Sequence, residues 1–238
     1  MRSLALTIPL LMALPALTLA DSYRDDLIAR CPIYKAATGR FAPVYPALAE
    51  QLVGDYGVKT GVCVDIGGGC GSLSLALVRV TDLTCYVLDI DPYAVRLANL
   101  LAEEQGYIGR VRGVEGDAMD LPFRDNFADL VVSRGSIFFW SDQFKGVQEA
   151  YRILKPGGVA YIGGGFSRIL DPAIREPLAQ ERLRAMREGS TDGWRPLEPD
   201  LAERARQAGI EQLQLITEPI TGWWLEIRKP APPVGERP

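Results

Sequence analysis

Residues 62–77 read Val-Cys-Val-Asp-Ile-Gly-Gly-Gly-Cys-Gly-Ser-Leu-Ser-Leu-Ala-Leu. Positions 62–66 predict a short buried strand, 67–71 a glycine-dense turn, and 72 onward the first turns of an apolar helix. Such a corner suits a nucleotide. Its glycines adopt positive φ and let a ligand approach the main chain, and the unpaired N–H groups at the helix start face the bound molecule. A dinucleotide is disfavoured on two counts. The spacing is Gly67-x-Gly69-x-Gly71, with Ser72 where Gly-x-Gly-x-x-Gly requires its third glycine. Asp65 also closes the strand, placing negative charge where a pyrophosphate would lie and where a cationic ligand would be favoured.

The next strand, 85–88, ends at Asp89, 22 positions after Gly67. That separation sets a carboxylate beside the ribose of a nucleotide held at the glycine turn. Asp91 and Pro92 then read as N-cap and first helical residue, which gives Asp91 a structural role. A third strand, 110–115, leads into Gly116-Asp117-Ala118-Met119-Asp120-Leu121-Pro122-Phe123, and a later block reads Arg152-Ile153-Leu154-Lys155-Pro156-Gly157-Gly158.

Residues 65–71, 87–91, 116–123 and 152–158, in that order, resemble the signature of the class I S-adenosylmethionine-dependent methyltransferases. The likeness covers roughly residues 41–164. It implies a doubly wound α/β fold: a mostly parallel, seven-stranded Rossmann-like sheet with helices on both faces. It also implies S-adenosyl-L-methionine as the cofactor. Gly67, Gly69 and Gly71 would admit its methionine portion, Asp65 would favour its positive charge, and Asp89 would hold its ribose. Asp117 would accept the adenine amino group and the Ala118 N–H would reach a ring nitrogen, with Ile90 and Ser133 completing the expected contacts.

Around this core, 22–30 predicts a short helix capped by Ser22, 31–41 a loop whose Tyr34 and Phe41 are free to cover a pocket, and 43–56 a helix closed by Gly57. The fourth strand, 127–133, is followed by Arg134 and the aromatic run Phe138-Phe139-Trp140, which should border the transferred methyl, since ligands of open α/β sheets sit at the strands' carboxyl ends. Arg134 could orient an anionic substrate or pair with a carboxylate. Helix 143–154 ends at the Lys-Pro-Gly-Gly block, strand 159–162 follows, and Gly163–Gly165 gives room to substrate or to a turn. Residues 169–207 predict two charged helices, broken at 189–193, as a solvated cover or a substrate lid. Strands 212–217 and 222–227 form a C-terminal antiparallel hairpin with Trp223 and Trp224 on opposite faces. A disordered tail is expected over 230–238.

The chain has 238 residues, 47% hydrophobic, enough to bury one core, so residues 21–229 are read as a single domain. A net charge of −4 argues against a nucleic-acid partner and leaves a small-molecule methyl acceptor. There is no histidine, which excludes imidazole catalysis and histidine metal ligation. Residues 1–20, one cation, an apolar run and Thr18-Leu19-Ala20, resemble an export signal cleaved after Ala20, the alternative being a membrane anchor or a cytoplasmic chain. Export conflicts with a donor made in the cytoplasm. Cys63 and Cys85 fall in core strands, whereas Cys31 and Cys70 could meet as thiols or a disulfide if the N-terminal segment folds over the pocket. No catalytic acid or base stands out, which suits an acceptor that is already nucleophilic. The rival reading is an exported binding module that keeps the fold and transfers nothing.

Overall fold

The computed structural model describes residues 15–188, 194–218 and 222–231. Strands β1 (Thr60–Ile66), β2 (Asp82–Asp89), β3 (Val111–Glu115), β4 (Ala128–Arg134), β5 (Leu154–Gly165), β6 (Leu213–Glu218) and β7 (Gly222–Arg228) form one sheet in the order β3-β2-β1-β4-β5-β7-β6. The first five run parallel, and β7 lies antiparallel between β5 and β6. The order reverses between β1 and β4, and a crevice opens at such a point because the connections leave in opposite directions.

Alternation along each strand feeds two cores. Cys63 and Cys85, neighbours in the β1–β2 register, point with Trp224 toward one face. There they meet α1 (Pro15–Arg30), α3 (Val44–Tyr56), α4 (Ser72–Val80) and α5 (Pro92–Glu104). Val64, Ile66, Val131 and Ile162 point to the other face, against α6 (Gln143–Ile153) and α8 (Leu201–Gln207). Trp223 packs on that second face, opposite Trp224 as expected. A smaller cluster, Val44, Phe166, Leu170 and Ala179, fastens α7 (Pro172–Arg187) over the end of β5. Local signals set the boundaries: Gly57 closes α3 at φ 66°, and Asp91 and Asp142 cap α5 and α6 by accepting the N–H groups of Tyr93 and Lys145.

Three expectations need correction. Residues 33–38 form a helix, α2 (Ile33–Thr38), because Pro32 starts it and Ala37 finds a buried site. The helix expected from Ser22 begins at Pro15; residues 1–14 of the proposed export signal lie outside the described residues. The Lys-Pro-Gly-Gly block does not separate helix from strand: β5 starts at Leu154, directly after α6, and the block is a bulge within it, shifting the register against β4. Gly157 there takes φ 84° and its N–H donates to the Lys229 carbonyl, while the Lys229 N–H donates to the Gly158 carbonyl. The predicted break at 189–193, and residues 232–238 of the tail, lie outside the described residues.

Candidate active site

The carboxyl ends of β1, β2, β4 and β5 surround a cavity of about 750 Å³. Its size is that of a small-molecule site. Asp65, Gly67, Gly69, Asp89, Ile90, Asp117 and Ala118, all expected at a ligand site, line it. Gly71 and Ser133 do not. Gly71 is the left-handed residue that turns the loop into α4, and it packs on Val87 and Ala98, away from the opening. Ser133 is buried inside β4 with its hydroxyl unpartnered among the described residues, and the next residue, Arg134, takes the cavity-facing place.

The glycine turn is held from several sides. A side chain at Gly67 would strike the Ser136 hydroxyl, and one at Gly69 would press on Ile33 of α2. Both have positive φ, 64° and 57°. The N–H groups of Gly67 and Gly68 donate to the Leu88 carbonyl, and that of Gly69 donates to Asp89 Oδ2 at 2.8 Å. Asp89 Oδ1 accepts the Asp91 N–H at 3.0 Å, so the carboxylate is fixed at the turn's rim with lone pairs left over. Asp117 accepts the Met119 N–H at 2.9 Å, folding 117–120 into a tight turn that sets Ala118 and Met119 at the cavity wall. Beneath it, Glu149 accepts the Leu121 N–H, and Arg152 donates to the Leu121 and Phe123 carbonyls while bridging Glu149.

Asp65 is buried, and its only hydrogen-bonding side-chain partner among the described residues is the Ser74 hydroxyl at 2.9 Å. Burial, with the charge of Asp89 adding to it, pushes its carboxyl up to about 7. Burial likewise raises Asp89. None of Asp65, Asp89 and Asp117 is ion-paired among the described residues, so this half of the cavity is short of positive charge. A sulfonium, an ammonium group, a ribose diol and an adenine amino group are what such donors and acceptors would bind.

The opposite half is aromatic. Phe138 stacks on Trp194 with centroids 5.6 Å apart and meets Trp223 edge-on at 6.3 Å. Gly163 and Gly164 leave no vacant room there, because the Phe138 ring occupies the space a Gly164 side chain would take and the Trp223 carbonyl lies against Gly163. Tyr45 and Phe41 enter from α3 and the segment before it, Phe166 from the end of β5, and Arg182 and Ala185 from α7. These had no legible pattern, except that Phe41 was free to cover a pocket. Tyr34 instead packs on the core. Cys31 and Cys70 do meet, as buried thiols outside the cavity lining; each perturbs the other, with Cys70 pulled down to about 7 and Cys31 raised.

Comparison with known proteins agrees with this geometry. Residues 64–162 match the family described as a methyltransferase domain. A solved structure from Methanococcus maripaludis, described as a candidate S-adenosyl-L-methionine-dependent methyltransferase, is 32% identical, with a TM-score of 0.72 over 89% of this chain and 95% of that one. Erythromycin 3''-O-methyltransferase of Saccharopolyspora erythraea is 32% identical over 75% of this chain and 62% of its own length. The 2-methyl-6-phytyl-1,4-hydroquinone methyltransferase of Spinacia oleracea is 40% identical over 46% of this chain, which spans 31% of that protein.

Proposed function

This chain belongs to the class I S-adenosylmethionine-dependent methyltransferases, and on that footing we propose that it transfers a methyl group to a small, largely apolar molecule. The observation that carries the reading is one cavity with three unpaired carboxylates at successive strand tips on one side and aromatic rings on the other. The residues present fit S-adenosylmethionine. Asp89 would take the ribose hydroxyls, Asp117 and the Ala118 N–H the adenine edge, Ile90 and Met119 its faces, and the glycine turn and Asp65 the amino-acid end. Bound there, the donor supplies an electrophilic methyl group on a cationic sulfur.

What the chain adds is placement and dryness. Holding two reactants at contact removes an entropic barrier of about 7–11 kcal/mol at most. Phe138, Trp194, Trp223 and Phe166 exclude water from the acceptor's side. No histidine exists to serve as base, and Tyr45, the phenol nearest Arg134, has its proton held more tightly by burial. The carboxylates, Asp65 included, are taken up by the donor in this reading, so the acceptor atom is one that already offers its electron pair, or one that loses its proton to water. The relatives' names, a hydroquinone and a macrolide methyltransferase, are consistent with a cyclic acceptor.

The test is calorimetric titration with S-adenosylmethionine, then incubation of methyl-labelled donor with phenols, thiols and amines. Micromolar binding and label in a small product support the reading. Binding without transfer to any class would favour the non-catalytic module, and no binding would remove both. We read residues 1–20 as directing export; N-terminal sequencing of the mature protein decides it, with a start at Asp21 expected and one at Met1 counting against. No helix among the described residues is long and apolar enough to cross a membrane.

A further inference from the structure

Arg134 stands at the tip of β4, in the aromatic half of the cavity. Its guanidinium lies 5.2 Å from the ring centre of Phe41, 5.1 Å from that of Tyr45 and 5.9 Å from that of Phe166. Its Nε donates to the Gly165 carbonyl at 3.1 Å. Of five N–H donors, the partners found are that carbonyl and the neighbouring Tyr45 hydroxyl. Among the described residues no carboxylate forms an ion pair with it. A second cation, Arg182, reaches the same wall against Phe166 and Trp223, and each of the two lines the cavity. Their like charges act on one another, since burial and then the Arg134 charge lower the basicity of Arg182. The Arg134 guanidinium is thus drawn from water with no carboxylate beside it among the described residues, which is unfavourable, and ring faces compensate only in part. Tyr45 stands between the two halves, its hydroxyl within the field of both Arg134 and Asp65.

We propose that the methyl acceptor carries an oxyanion, a carboxylate or phosphate on a ring-sized apolar body, and that Arg134, within the field of Arg182, binds that group while Phe138, Phe166, Trp194 and Trp223 hold the body. The proposal rests on the methyl-transfer reading and narrows its substrate class. Arg134 fixes orientation here: a planar fork accepts two oxygens at once and so sets which atom of the bound molecule faces the donor.

The probes are cinnamate and phenyl phosphate, each against a neutral counterpart, methyl cinnamate and phenol. Binding to protein loaded with S-adenosylhomocysteine is followed by the fluorescence of the cavity tryptophans. At least one anionic probe should bind roughly tenfold or more tighter than its neutral counterpart, the usual size of a hydrogen bond to a charged group. Arg134→Gln should erase that preference and leave S-adenosylhomocysteine affinity within about threefold, while Arg134→Lys should keep part of it. Loss of packing alone would weaken neutral and anionic probes equally. Three results overturn the proposal: anion and neutral binding equally, a preference that survives Arg134→Gln, or a variant whose main loss is S-adenosylhomocysteine affinity, which would assign Arg134 to the donor's own carboxylate. Of the results of this experiment, failure of the unaltered protein to bind S-adenosylhomocysteine alone overturns the methyl-transfer reading as well.

Discussion

Asp89 does two jobs with one carboxylate, fixing the glycine turn through the Gly69 N–H and presenting its remaining lone pairs to the cavity. Asp89→Ala should weaken donor binding by about 1.5–3 kcal/mol, the range for hydrogen bonds to a charged group. Calorimetry reads this directly, and a change under twofold would place the ribose elsewhere. Asp65 makes a pH-dependent prediction. Its carboxyl, pushed up to about 7, is largely protonated in the empty protein at pH 6, and a cationic donor favours the ionised form. Donor affinity should therefore fall as pH drops below 7, and Asp65→Asn should flatten that slope. Stability runs the other way: the folded state binds the Asp65 proton more tightly than the unfolded chain. Its contribution is thus fully present below the ordinary aspartate range and is lost as pH rises through 7. The melting temperature of Asp65→Asn should gain on the unaltered protein between pH 5 and pH 8; a constant gap would mean that Asp65 ionises normally.

The turn after β3 has no helix or sheet ladder to hold it, and Glu149 and Arg152 of α6 clamp it from below through the Leu121 N–H and the Leu121 and Phe123 carbonyls. Glu149→Ala leaves the Leu121 N–H without its acceptor and takes one of two carboxylates from the Arg152 guanidinium, at a cost of roughly 1–3 kcal/mol. Amide exchange over 117–123 should quicken, and donor affinity should fall with it. Exchange unchanged in that segment would refute the clamp. Arg152 holds the Glu149 carboxyl below its usual range, so this stabilisation is present above the ordinary glutamate value and is lost on further acidification. Elements were legible where one short stretch carried the whole signal. The Asp91-Pro92 start of α5 and the Gly57 stop of α3 are such cases. The Lys-Pro-Gly-Gly block misled because its turn chemistry was right and its setting unseen: Gly157 bends the chain, but its N–H is met by the Lys229 carbonyl, far along the sequence, which keeps the bulge inside a strand.

At the scale of the whole molecule, the carboxylate half of the cavity was legible because each contributing carboxylate stands at the end of a strand, beside the turn that marks it. Of the aromatic half only Arg134 and the run after it were legible, because Tyr45, Phe166, Arg182, Trp194 and Trp223 come from separate elements and share a wall only once the sheet is wound. The result is one cavity divided by charge, carboxylates on one side and two arginines on the other. A sulfonium on the first side and a bound oxyanion on the second would attract by about 1.5 kcal/mol, taking a separation of roughly 10 Å and an effective dielectric of about 20. That is about tenfold in affinity, and linkage makes it reciprocal. Saturating the protein with whichever anionic probe binds should therefore tighten S-adenosylmethionine about tenfold, and S-adenosylhomocysteine, whose sulfur is neutral, much less. Arg134→Gln should abolish the difference. Equal coupling to the charged and neutral forms would show that the two halves communicate by shape alone. If the difference holds, methyl transfer itself removes the attraction that assembled the complex, and both products leave a cavity that no longer favours them together.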